Sequence, residues 1–148
     1  MDNIYRHIVK YYETDQMGVA HHSNYVRWFE DARIDLLRRQ GIDCQAMEDM
    51  GIIIPVTGYT CKNKSPARFG DELEIETTPK KFNGVRMEFS YTVHISATGE
   101  ICACGETGHC FVDRSMTPLS LKRSFPDVYE RLDKILNGND KSSGKTAK

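Results

Sequence analysis

Apolar residues recur along this chain with two different periods, and the changes of period divide it into elements. Ile4 to Tyr12 alternates loosely and is rich in β-branched and aromatic residues, which predicts a first strand. Glu13 to Gly18 breaks that pattern with Thr, Asp and Gly. From Tyr25 the apolar positions fall at three- and four-residue steps, through Val26, Phe29, Ala32, Leu36 and Leu37, with Arg33 on the same stripe. That spacing predicts a helix of about four turns. Ser23 and Asn24 are its cap candidates, and Gly41 stands where a helix ends. Glu30, Asp31, Asp35, Arg38 and Arg39 form its wet face. A short second helix is predicted over Gln45 to Met50, stopped by Gly51.

Beyond Gly51 the period drops to two. Ile52 to Cys61 is apolar and β-branched, with Pro55 marking an edge or a bend. Leu73, Ile75 and Thr77 alternate with glutamates. Met87, Phe89, Tyr91, Val93 and Ile95 alternate with polar residues, the clearest such run in the chain. Asn83-Gly84 and Thr98-Gly99 are hairpin turns on either side of it, and Ile101 to Val112 is the partner strand. A last helix is predicted from about Ser124, with Pro126 in its first turn and a stripe of Phe125, Val128, Tyr129, Leu132, Ile135 and Leu136. One long helix followed by several strands on short turns predicts an α+β fold, with an antiparallel sheet whose apolar face lies over the helix.

Composition narrows the function classes. The chain has 148 residues, 39% hydrophobic and 28% charged, an ordinary mix for one domain with its own core. The domain is predicted over 1–137, and 138–148 is a polar tail with the composition of disorder. A net charge of -1 gives no electrostatic case for a nucleic-acid partner. The N-terminus has no apolar signal core, and no run is long enough to span a bilayer, so the expected location is cytoplasmic. The five cysteines include no CxxC pair and are expected to be reduced thiols. Cys102 and Cys104 read as small buried hydrophobes.

The stretch YYETDQMGVAHHSNY carries the candidate chemistry. Asp15 in a strand-to-helix turn most simply closes an Asx-turn, with Gly18 supplying a positive φ and His22 capping or packing. The alternative is a reaction site. Asp15 and His22 precede a long helix whose N-terminus presents free N–H groups and a positive dipole end. A carbonyl polarised there, with a carboxylate beside it as base or nucleophile, suits attack on an acyl group. No metal is expected, since adjacent His21 and His22 rarely share an ion and a third ligand is missing. Lys62, Lys64 and Arg68 around Ser65-Pro66 are either a solvated loop or a rim for a phosphorylated handle.

Three ordered segments, TDQMGVAHHSNYVRWFEDAR, IPVTGYTCKNKSPARFGDELEI and GETGHCFVD, resemble the hotdog-fold acyl-CoA thioesterases of the 4-hydroxybenzoyl-CoA thioesterase and YbgC-like group. The resemblance implies a long helix wrapped by an antiparallel sheet, and hydrolysis of a short-chain, aromatic or fatty acyl thioester of coenzyme A or acyl carrier protein. It implies no cofactor beyond the coenzyme A of the substrate. It places Asp15 as the catalytic carboxylate, acting directly or through water. His22 falls where the family's backbone N–H polarises the thioester oxygen. Gly18, Asn24 and Tyr25 match the motif's structural positions, and Lys62, Lys64 and Ser65 match the strand and loop near the pantetheine and nucleotide. A homodimer with its site between chains is implied, and a homotetramer in many members. His21 departs from the tyrosine common at that position. A non-catalytic acyl-CoA binder and a hotdog dehydratase or hydratase are the alternatives, and the dehydratase chemistry wants its acid–base pair on the long helix rather than before it.

Overall fold

The structure is a computed structural model that describes residues 2–138. Its elements in chain order are β1 (Ile4–Ile8), α1 (Ser23–Arg39), α2 (Cys44–Asp49), β2 (Val56–Asn63), β3 (Glu72–Phe82), β4 (Arg86–Ile95), β5 (Ile101–Cys110), α3 (Leu121–Ser124) and α4 (Pro126–Asn137). The strands form one five-stranded sheet in the order β1-β3-β4-β5-β2. β1 runs antiparallel to β3 with Ile4 opposite Glu76 and Ile8 opposite Glu72. The expected α+β pattern is therefore present, and both hairpin turns form. Asn83 Oδ1 accepts the N–H groups of Val85 and Arg86 between β3 and β4. Between β4 and β5 the N–H of Ile95 donates to the Glu100 carbonyl at 2.9 Å.

The chain divides into two compact units. The first holds the segment through Leu36, Tyr59–Thr78 and Ser90–Glu106. Its core is built from Trp28, Phe29 and Leu36 of α1, Leu73 and Ile75 of β3, and Tyr91 and Val93 of β4, all buried. Phe29 lies flat on Tyr91, with ring centroids 4.4 Å apart and planes 6° from parallel. This is the helix-on-sheet contact that the alternation of β4 and the stripe of α1 require. Gly105 of β5 permits the same approach, since a Cβ there would sit 2.6 Å from the Phe29 ring and 2.3 Å from the Thr60 carbonyl oxygen. The second unit holds Leu37–Gly58, Pro79–Phe89 and the segment from Thr107 onward. There Phe82 meets Phe111 edge-on and Tyr129 tilted, over buried Leu121, Val128 and Leu132.

Five boundaries differ from the sequence pattern, the simplest being β5, which ends at Cys110 and not at Val112. β1 stops at Ile8, and Tyr11–Glu13 form a 3₁₀ turn in place of the strand's expected end. Glu13 accepts the Lys10 N–H at 2.8 Å and donates its own N–H to the Lys10 carbonyl at 2.9 Å, which curls the chain back. β2 begins at Val56, after the Pro55 bend, and reaches Asn63. α2 spans Cys44–Asp49 because the Asp43 carboxylate caps it, accepting the Gln45 N–H at 3.0 Å. The last helix is preceded by α3, which periodicity does not reveal. Phe125 separates the two at φ -140 and ψ 64, as a residue before proline is kept out of helical geometry. The tail expected over 138–148 lies outside the described residues from 139 on. No described helix is long and apolar enough to cross a membrane.

Candidate active site

The turn that carries Asp15 is pinned on both sides. Asp15 donates its N–H to the Val19 carbonyl at 2.9 Å, and Gly18 donates back to the Asp15 carbonyl at 2.9 Å. Gly18 takes φ +79, which a side chain resists. The loop then bridges Thr14 to Ala20 and Val19 to Arg68, and the Ala20 N–H donates to the Ala67 carbonyl at 2.7 Å. The Asx-turn expected on residue type does form, because Asp15 Oδ1 accepts the Met17 N–H at 2.8 Å. This leaves Oδ2 with no hydrogen bond among the described residues. Turn residue and reaction-site residue are therefore compatible roles: one oxygen orients the carboxylate and the other is open.

Glu13 fixes this turn against α1, and nothing in the sequence pattern singled it out. Its buried carboxylate accepts from the Lys10 N–H, from His7 Nε2 at 2.8 Å and from Trp28 Nε1 at 3.0 Å. Burial alone pushes its pKa up, but the hydrogen bonds from Lys10, His7 and Trp28 outweigh this and hold the carboxyl below its ordinary range. The Glu13 carbonyl accepts the His21 N–H at 2.8 Å and Asn24 Nδ2 at 2.8 Å. One residue thus ties β1, the 3₁₀ turn and the start of α1 together, two positions before Asp15.

The cap of α1 comes from His21, not from Ser23 or Asn24 as expected. His21 Nδ1 accepts the Ser23 N–H at 3.2 Å and faces the Ser23 hydroxyl at 2.9 Å. This is the i to i+2 pattern of an Asx-turn made with an imidazole. Ser23 and Asn24 lie inside the helix, and Asn24 instead binds back to Glu13. The neighbouring backbone donors are all engaged: His21 with Glu13, Ser23 with His21, Asn24 with the His21 carbonyl at 3.0 Å, and Tyr25 with the His22 carbonyl at 3.2 Å. The His22 N–H has no acceptor among the described residues. It stands at the positive end of a 17-residue helix.

Asp15, His22, Tyr25, Asn63, Lys64 and Ser65 line one cleft of about 250 Å³. Of the candidate residues, Asp15, His22, Tyr25, Lys64 and Ser65 are brought together, and Gly18, Lys62 and Arg68 lie outside its lining. Gly18 shapes the turn, and Arg68 donates its backbone N–H to Asp71 at 2.9 Å. The Ser65 hydroxyl donates to Glu100 at 2.8 Å. Tyr25 is buried, which raises its phenol pKa despite an opposing hydrogen bond with the Ala67 backbone. Cys102 is buried and Cys104 half-buried, and burial pushes the Cys102 thiol up to about 11, so it stays protonated and unreactive at neutral pH. Asn63 was missed by residue type alone; it lines the cleft and also a second trough of about 500 Å³ that begins at His22.

The chain is similar to known proteins over most of its length. The family model described as Thioesterase-like superfamily matches residues 9–132. YneP of Bacillus subtilis, whose name proposes an acyl-CoA thioesterase, is 32% identical over 127 residues, covering 85% of this chain and 91% of that protein. YbgC of Escherichia coli, named an acyl-CoA thioester hydrolase, is 33% identical over 85 residues, 57% of this chain and 63% of its own. A DHNA-CoA thioesterase structure from Staphylococcus aureus superposes with TM-score 0.86 at 31% identity, covering 95% of this chain and 94% of that one. The chain belongs to the Thioesterase-like superfamily and is a hotdog-fold thioester hydrolase.

Proposed function

We propose that this chain hydrolyses acyl-CoA thioesters in the cleft between Asp15 and the start of α1. The observation that carries the proposal is the pairing of two unsatisfied groups at one cleft, the His22 N–H as donor and Asp15 Oδ2 as acceptor. Names of relatives support coenzyme A as the thiol carrier. The thioester oxygen accepts the His22 N–H, and the helix dipole adds to the polarisation. Asp15 removes a proton from water as the new C–O bond forms, or attacks the carbonyl itself to give an anhydride that water then opens. In either route the C–S bond breaks, the thiolate leaves with the electron pair and takes up a proton, and the free acid remains. Lys64 lines the cleft, and Lys62 and Arg68 flank it on the same stretch of chain, where they can meet the phosphates of the nucleotide. The active form is a homodimer, or a homotetramer made of two.

The test is release of free thiol from a panel of acyl-CoA thioesters, by the wild type and by Asp15→Asn. The variant keeps the Asx-turn acceptor and removes the charge, so turnover should fall by about 10²-fold or more while binding of free CoA hardly changes. Near-normal turnover in Asp15→Asn sinks the assignment.

A further inference from the structure

We infer that the trough beside the Asp15 cleft receives the acyl end of the substrate and selects acyl groups bearing an anionic substituent, with Arg27 reading the charge. This rests on the thioesterase proposal above and adds the substrate class to it. Cleft and trough share His22 and Asn63. A thioester at the His22 N–H therefore has two ways out, one past Lys64 and Ser65 and one past Arg27 and Tyr59. The first has the lysine-bearing loop and its neighbouring cations for phosphates. The second is left for the acyl group.

The lining of the second way mixes apolar surface with hydrogen-bonding groups. Arg27, Tyr59, Cys61, Asn63 and His22 border it, and Val26 is its one aliphatic side chain. A fatty chain placed there would meet the apolar part of the lining but would return no partner to the Asn63 amide or the Arg27 guanidinium. Arg27 is exposed, and its side chain makes no hydrogen bond or ion pair among the described residues. Its planar fork of donors matches a carboxylate or an acidic hydroxyl at the far end of an acyl group. Tyr59, with 61% of its surface exposed, offers an aromatic wall along the way.

The test uses two matched pairs that differ by one carboxylate: hexanoyl against adipoyl, and benzoyl against 4-carboxybenzoyl. Each is offered as the CoA thioester for kcat/KM and as the non-hydrolysable thioether for calorimetric binding. In the wild type the carboxylated member of each pair should be favoured by about tenfold, the size of one charge-assisted hydrogen bond after allowance for solvent exposure. In Arg27→Gln that ratio should fall close to one. Equal preference in the wild type overturns the inference, as does a preference that survives Arg27→Gln. An equal loss for all four acyl groups and for free CoA also overturns it, because Arg27 then binds the coenzyme's phosphates. If the thioethers show the Arg27-dependent preference and no thioester is cleaved, the hydrolase proposal fails while this one holds.

Discussion

At the scale of single residues, the site depends on groups whose chemistry is in the backbone or out of sight. On residue type alone Asp15 reads most simply as an Asx-turn residue, which it is, and only the ordered motif around it marks it as a candidate for chemistry. At His22 the expectation concerned the main-chain N–H, which came from the resemblance and the helix start and not from the side-chain type, and that N–H has no acceptor among the described residues. Glu13 was illegible for a different reason. It stands where the strand pattern breaks, which reads as a loop, while its carboxylate is buried. Its partners come from Lys10, His7 and Trp28, and only folding brings these to one point. Because Glu13 is held below its ordinary pKa in the folded chain, its contribution is fully present above the pKa of an unfolded glutamate. That contribution is lost as the pH falls through the lower, folded value. Glu13→Gln should therefore destabilise the protein at neutral pH and flatten the acid limb of its stability curve. It should also lower kcat by about 10- to 100-fold with little change in KM, since the Asp15 turn loses its anchor and the reacting groups shift. Urea unfolding from pH 7 downward, with steady-state kinetics alongside, reads both effects. An acid limb parallel to that of the wild type would show that Glu13 is not the titrating group.

At the scale of elements, the patterns that repeat were legible and the breaks were not. The stripe of α1 and the alternation of β4 are set by burial on one face, which leaves a periodic trace over ten residues or more. The end of β1 is set by one carboxylate's hydrogen bonds, and the split between α3 and α4 by the single residue before Pro126, and a period cannot register either. His21 escaped notice as a cap because capping is ordinarily done by short oxygen-bearing side chains. Gly105 did leave a signal, since glycine inside a strand often marks a close approach of another chain segment. The approach here is of Phe29 and of the Thr60 backbone, neither of which can withdraw without disturbing α1 or β2. Gly105→Ala should cost about 1–3 kcal/mol, the range for overpacking a filled core. Gly108→Ala, three residues on in the same strand, would bring a Cβ to 3.1 Å from the movable Thr57 hydroxyl and should cost much less. Denaturant melts of both variants give the comparison: a midpoint for Gly105→Ala at or above that of Gly108→Ala would mean that α1 and β2 yield freely at this contact.

At the scale of the whole molecule, the sheet has two edges, and they differ in kind. β1 is short, carries Arg6 and His7, and pairs Arg6 with Glu74 of β3 at 3.3 Å. β2 is eight residues long, carries no charge from Val56 to Cys61, and leaves Val56 48% and Tyr59 61% exposed. Charge and brevity are how sheets protect an edge from foreign strands; β2 is long, and its single charge, Lys62, stands next to its end. A second copy of the chain is the occupant that matches it, strand against identical strand about a twofold axis. The same strand supplies Tyr59, Cys61 and Asn63 to the trough, so the partner's strand would border the acyl end of each site. The expected result is a homodimer at micromolar concentration by sedimentation velocity, with roughly 800 Å² covered on each partner if the interface is of standard size. Val56→Lys places a charge on that edge away from the cleft lining and should shift the protein toward monomer, with the shift reduced at high salt as the lysines are screened from one another. A wild-type chain that sediments as an active monomer removes the dimer altogether. A dimer indifferent to Val56→Lys keeps the assembly and moves its interface off β2.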